Sequence, residues 1–552
     1  MANIFQNVRY LGGVSGPNSR RLYSLPPGRR TSGRPVNTLA ACERYFHEGH
    51  GVKQDVSYSN DYGTSSTKRS WQAKPFLLNK LLAGKFSSAV PKQEFVHNFK
   101  SVISQPRRFF QTTSPCSWYG HLSVSPEQVS KILHRHEIGV NVENENLRVQ
   151  SFMSNQVASN NPLEDRRGAA TCKLTNAMMF GVFDGHHGPA CAQVISERLF
   201  NYIAAEVLPY DILEHANRMF STGNLTELVD FYEHPNDYIS HDQQQLFKNS
   251  LAQYLKDNIS IDFQGEYDLT NILMIAFDRL DKDLTTEALK TTNGDFNDEG
   301  LHRVFSGACA CIAYVEGDNL YVANAGDCQA VLGEQKDDNV WSATSMSFEH
   351  NAQNSDEVRR IRSSHPLNES STVIKNGRLL SELAPLRAFG DVRYKWSRTI
   401  QHQVLNPWFG TNVIPKNYHT PPYLIATPEV IHHQLTPSDK FLILASDGLW
   451  DCMTPEKAVN LVGDFLLMSD KMGSFQPKSE GMSLQHLHQT LARRKAALWP
   501  VDTNVATHLI RYALGGVHNR FDHNRLANTL SLPDNVVRQY RDDITVTVVF
   551  FN

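Results

Sequence analysis

Apolar and polar positions alternate between two periods along most of this chain. Five runs rich in β-branched or aromatic residues, 178–184, 310–315, 320–326, 440–447 and 544–551, are bounded by Gly, Asp or Asn and predict buried strands. Between them, 190–205, 269–286, 355–363, 455–467 and 504–513 carry apolar residues at three- and four-residue spacing and predict helices. One has a clear start signal, Thr454 followed by Pro455 and Glu456. The runs 310–315 and 320–325 are separated only by Glu316-Gly-Asp-Asn319, the signature of a hairpin. Successive hairpins mixed with helices predict α+β layers rather than a doubly wound parallel sheet. No internal repeat is visible. Polar stretches at 211–265, 288–300, 401–422 and 468–500 are expected to be surface insertions, and 64–117, which lacks any period, a linker or extension.

Charge adds an exclusion. With 54 basic and 57 acidic residues, the chain has no net field to attract nucleic acid. Apolar runs such as 441–445 and 546–551 fall far below the roughly 20 residues that span a bilayer, so no transmembrane segment is expected. The eight cysteines include no C-x-x-C pair, which suits a reducing compartment, and Cys309 and Cys311 are expected on one face of a strand as small core residues. The N-terminus differs from the rest. Residues 1–42 contain Arg9, Arg20, Arg21, Arg29, Arg30 and Arg34 but no Asp, Glu or Lys before Glu43. That composition predicts a mitochondrial transit peptide. We expect residues 1–110 to comprise it and a poorly structured extension, and 111–552 to form a catalytic domain.

Acidic residues recur at strand ends: Asp184, Asp327 and Asp447 each close an apolar run, and Asp542 precedes the last one. A single such residue is an ordinary turn former. Several that converge would repel and resist desolvation, and cations would offset both penalties. Oxygen-only ligation selects hard ions such as Mg²⁺ or Mn²⁺, and two of them can activate water and clamp a phosphoryl group.

The segments Phe183-Asp-Gly-His-His-Gly188, Ser306-Gly307, Asn324-Ala-Gly-Asp-Cys-Gln-Ala330, Arg387-Ala-Phe-Gly-Asp391, Ala445-Ser-Asp-Gly-Leu-Trp-Asp451 and Arg541-Asp-Asp-Ile-Thr-Val546 occur in the order found in the metal-dependent (type 2C) protein phosphatases, which this chain resembles. The resemblance implies a central β-sandwich of two mainly antiparallel sheets flanked by helices, with two Mg or Mn ions at one end. It implies that Asp184 bridges both ions, that the Gly185 carbonyl binds one of them, and that Asp447 and Asp542 complete the other. Glu164 and Asp165 match the acidic pair that orders metal-bound water. Asp327 and Asp451 match positions of a weaker third ion, and His186 matches the acid that protonates the leaving serine or threonine oxygen. His187 stands where the family has a small residue and is given no role. Asn160 and Asn161 stand where the family usually has a phosphate-gripping arginine, so Arg166 or Arg167 is the expected substitute.

Further segments, including Asn161-Pro-Leu-Glu-Asp-Arg-Arg167, His234-Pro-Asn-Asp-Tyr238 and Tyr418-His-Thr-Pro-Pro-Tyr423, resemble the pyruvate dehydrogenase phosphatase branch of that family. This implies action on phosphoserine of the pyruvate dehydrogenase α subunit in the mitochondrial matrix. It also implies docking to the lipoyl domain of the acetyltransferase core, with Ca²⁺ at that contact, and a regulatory subunit. The competing readings are a catalytically silent fold acting as a binding module, and a phosphatase for another matrix substrate.

Overall fold

Strand 307–316 explains the layering. Its ten residues, GACACIAYVE, are almost wholly buried, so both faces must be covered. Cys309, Cys311, Ala313 and Val315 pack with Leu442, Leu444 and Val549 of a second sheet, whereas Ala308, Ala310, Ile312 and Tyr314 pack with Ile195, Leu199 and Phe277 of helices. One period-two strand therefore faces a sheet on one side and helices on the other.

In the computed structural model, the described residues are 124–552 apart from 145–146, 225–226, 235–240, 260–267, 293–294, 337–339, 473–482, 486–487, 490–501 and 518–519. The expected transit peptide and extension at 1–110, the domain start at 111 and most of the 468–500 insertion lie outside them. One sheet has six strands, in the order Ile138–Asn141, Val149–Val157, Ile544–Phe551, Asp439–Ala445, Gln329–Lys336 and Val340–Ser345. The other has seven: Glu429–Gln434, Asn319–Ala325, Gly307–Glu316, Met178–His186, Arg166–Cys172 and Val229–Phe231 in order, with Phe389–Gly390 also paired to Gly307–Glu316. Pairing within both sheets is antiparallel. Helices Ala190–Val207 and Leu269–Ala288 cover the outer face of the seven-stranded sheet. The outer face of the other, with Phe441, Ile443, Val546 and Val548, packs under Pro126–Leu133, Pro455–Met472 and Val505–Gly515. The fold is α+β, a sandwich between helical layers.

All five expected strands and all five expected helices are present, with ends moved by a few residues. Helix Ser355–Ser363 keeps its expected ends because the Asn354 side chain accepts from Asp356 N and Glu357 N. Asn504, expected as a helical residue, is instead the cap of Val505–Gly515. The polar insertions differ more from expectation. Stretch 211–265 contributes Leu213, Ala216, Leu251, Tyr254 and Leu255 to the main helical core, and 401–422 buries Val404, Leu405 and Tyr418. Among the described residues, no helix is long and apolar enough to cross a membrane.

Candidate metal and phosphate site

The antiparallel registers bring the acidic strand ends to one edge. Asp184 pairs with Cys309, while Ala445, two residues before Asp447, pairs with Val546, four after Asp542. Asp184 sits in a shared field. Burial, and then Asp447, Asp165, Asp327 and Asp542, push its carboxyl well above the usual carboxylate range. Asp165, almost fully buried, is raised likewise by burial and then by Asp543. Its Oδ2 is buried with no hydrogen-bond partner. Cations beside these carboxylates would offset the burial and mutual repulsion that oppose their ionisation, and the oxygen donors fit Mg²⁺ or Mn²⁺. Gly185 makes the approach possible. A Cβ there would lie 2.3 Å from the Glu164 carbonyl oxygen, so any side chain would push the acidic pair away from Asp184.

Asp543, buried beside Asp542, organises the loop carrying that pair. Its Oδ1 accepts from Ser159 N at 2.5 Å and Asn160 N at 2.7 Å, and its Oδ2 accepts from Glu164 N at 2.8 Å. Glu164 is tied differently from Asp165. Its Oε1 accepts from Gly188 N at 2.6 Å, and its Oε2 lies 3.0 Å from Nη1 of Arg538, whose side chain is 46% exposed.

His186 Nε2 lies 2.5 Å from Asp391 Oδ2. Burial opposes the imidazolium, but the Asp391 carboxylate, helped by Asp327 and Glu164, raises His186 above its ordinary pKa, and His186 holds Asp391 below the usual range. Backbone geometry aims this carboxylate. Gly390 and Asp391 both adopt left-handed conformations (φ +65° and +49°), and a Cβ at Gly390 would fall 2.2 Å from Ser306 O.

Asp327 accepts from Cys309 Sγ at 3.1 Å, and Asp451 is exposed at the end of helix Asp447–Trp450. Both act on Glu349, whose carboxyl is raised by burial and then by Asp327, with a smaller push from Asp451.

The expected phosphate grips also bond to protein groups. Arg166 donates through Nη1 to the carbonyls of Leu163 (2.8 Å) and Asp165 (2.7 Å) and through Nε to Gln193, and Arg167 Nη1 donates to Ser154 Oγ at 3.3 Å. Both line a cavity with Gln193, Glu197 and Tyr202, and none of the metal-site carboxylates forms its wall.

Residues 209–478 match the protein phosphatase 2C family. Mitochondrial pyruvate dehydrogenase (acetyl-transferring) phosphatase 1 of Rattus norvegicus is 45% identical over 472 residues, spanning 81% of this chain and 86% of that protein. The chain belongs to the protein phosphatase 2C family. Human mitochondrial pyruvate dehydrogenase phosphatase 2 is 42% identical over 447 residues (78% of this chain, 84% of that protein). A protein phosphatase 2C homolog of Schizosaccharomyces pombe is 32% identical over 457 residues (79% and 89%).

The chain is thus a serine/threonine phosphatase dependent on Mg²⁺ or Mn²⁺. Three residues beside this candidate site have no assigned role in the sequence. Asp391 lies in a quoted motif, but only the left-handed turn reveals what it faces. Asp543 looks like a duplicate of Asp542 until its loop donors, nearly four hundred residues earlier, are seen. Glu349 follows no apolar strand and had no signal.

Proposed function

We infer that this phosphatase hydrolyses phosphoserine on the pyruvate dehydrogenase α subunit in the mitochondrial matrix. The observation that carries the chemistry is the convergence of Asp447, Asp165, Asp327 and Asp542 on Asp184. The substrate reading is supported by the names of relatives at 45% and 42% identity, and the location by the word mitochondrial in the same names. Lipoyl-domain docking, Ca²⁺ at that contact and a regulatory subunit belong to the same reading. The full set of acidic residues speaks against a silent binding module.

Asp184, the Gly185 carbonyl, Asp447 and Asp542 would hold two cations, with Glu164 and Asp165 ordering water beside them and Asp327 and Asp451 at a weaker third position. When bound, the ions supply positive charge for the phosphoryl oxygens and lower the pKa of water. The remaining roles fall to side chains. His186 Nε2–H donates to Asp391, which stabilises the imidazolium and leaves Nδ1 to carry the proton that the departing serine oxygen needs. Arg538, half exposed against Glu164, is better placed than Arg166 or Arg167 to grip phosphate, since their guanidiniums brace protein carbonyls and Ser154.

The test is ³²P release from intact phosphorylated pyruvate dehydrogenase complex, with Mg²⁺, Mn²⁺ and Ca²⁺ varied separately, for wild type and Asp447→Ala. We expect Mg²⁺- or Mn²⁺-dependent release by wild type only. Equal release by the variant would overturn the metal assignment, and release from other matrix phosphoproteins but not from this complex would overturn the substrate.

A further inference from the structure

Beside the carboxylate cluster lies a second donor set of different chemistry. One ligand atom from each of His186, His187 and Asp391 falls within 4.8 Å of the other two. The His186 and His187 rings stand 5.6 Å apart at 72°, edge to face rather than stacked. His187 has φ +58°, a left-handed conformation that sets it beside His186 although the two are consecutive. Asp391 is fully buried, and its Oδ1 has no hydrogen-bond partner although Oδ2 is bound to His186. Gly307 keeps the space open, because a Cβ there would lie 2.2 Å from both His186 Nε2 and Asp391 Oδ2.

We propose that His186, His187 and Asp391 form an inhibitory zinc site, distinct from the Mg²⁺/Mn²⁺ centre. Two imidazoles and one carboxylate are donors that favour Zn²⁺, whereas the oxygen-only cluster favours hard ions. Zinc bound tetrahedrally to such a trio, at about 2.0–2.2 Å from each atom, leaves a fourth position for water. It replaces the proton held between His186 Nε2 and Asp391 Oδ2, which passes to solvent. Zinc on Nε2 leaves the Nδ1 proton in place, but on a neutral metal-bound imidazole that is a far weaker acid than the imidazolium, so the leaving oxygen is no longer protonated effectively and turnover collapses while the Mg²⁺ sites stay filled. The inhibition rests on the phosphatase reading, but metal binding does not.

The experiment uses the full chain with Mg²⁺ saturating and Co²⁺ as a spectroscopic stand-in for zinc. Wild type should develop the intense visible band of four-coordinate Co²⁺ at one equivalent, and Zn²⁺ should bleach it. His187→Gly suits the left-handed backbone and removes one ligand. It should lose the band, keep its basal turnover of a phosphoserine peptide, and need at least tenfold more zinc for half inhibition. His187→Asn should behave alike. Absence of the cobalt band in wild type, or unchanged zinc sensitivity in both variants, would overturn the proposal and place any zinc effect in the carboxylate cluster. A chain that shows the band but no Mg²⁺-dependent turnover would support the site and overturn the phosphatase reading instead.

Discussion

Asp391 Oδ2 and His186 Nε2 are 2.5 Å apart in a space that only glycine at 307 leaves open. The pair joins two strand neighbours, since His186 and Gly390 both pair with Gly307. A carboxylate held this close favours the protonated imidazole, the form a general acid needs before it acts.

Asp391→Asn therefore lowers the His186 pKa. The acid is protonated below its pKa and lost above it, so the alkaline limb of the pH–kcat profile should move to lower pH. Turnover at neutral pH should fall by about ten- to a hundredfold, less than the full worth of a general acid because His186 itself remains. An unmoved alkaline limb in steady-state assays across pH 6–10 would mean that Asp391 only shapes the loop.

Asp184 yields a prediction of opposite sign for stability and for activity. Without cations, its ionisation is penalised by burial and by four neighbouring aspartates. Asp184→Asn removes that penalty, so the melting temperature in EDTA should rise, by about one degree for each ~1 kcal/mol recovered in a domain of this size. Added Mg²⁺ should stabilise wild type by binding the folded state and stabilise the variant far less. Phosphatase activity should vanish. Calorimetry with and without Mg²⁺ checks all but the last point, and a variant that melts lower in EDTA would show that the acidic cluster is not frustrated.

These residues also show what was readable beforehand. Strand Ile544–Phe551 was plain because ITVTVVFF is apolar or β-branched throughout. Its neighbour Val149–Val157 was hidden, because Ser154, Asn155 and Gln156 are buried polar residues that break the period. Their partners are remote. Asn155 Nδ2 donates to Leu133 O (2.6 Å) and Thr507 Oγ1 (2.7 Å), and Gln156 Nε2 donates to Thr545 Oγ1 (3.0 Å). Tertiary hydrogen bonds thus offset a desolvation cost that local pattern reads as exposure. In the site, Asp184 and Asp447 were legible because each ends an apolar run, a local feature. Arg538 was not, because its meeting with Glu164 depends on how the last helical turn, Asp534–Val537, enters the final strand.

Arg538→Ala tests which guanidinium meets phosphate. Loss of one charge-assisted grip on phosphate should lower kcat/KM for a phosphoserine peptide by about ten- to a hundredfold. It should also raise the Ki of inorganic phosphate as product inhibitor by a similar factor. Arg167→Ala, which removes a donor to Ser154 Oγ, should leave that Ki unchanged. The reverse pattern would return the grip to the strand arginines.

Away from the site, Glu357 sets an acid limit on stability. Burial alone would raise its pKa, but Arg387 and Arg360 outweigh burial and bring it down from 4.5 to about 2. Arg387 binds both its oxygens, Nε to Oε1 at 2.9 Å and Nη2 to Oε2 at 2.8 Å, and also donates to Thr427 O at 2.9 Å, which ties helix Ser355–Ser363 to the segment before strand Glu429–Gln434. The folded pKa lies below the unfolded one, so the stabilisation is complete above about pH 4.5 and is lost as pH falls toward 2. The full shift corresponds to roughly 3 kcal/mol, an upper figure since other carboxylates share the field. In urea titrations, Glu357→Gln should be less stable than wild type at pH 6, and by pH 3.5 that gap should narrow by roughly 1 kcal/mol. A gap that stays constant with pH would mean that Glu357 contributes packing rather than charge, and that Arg387 holds the helix through Thr427 alone.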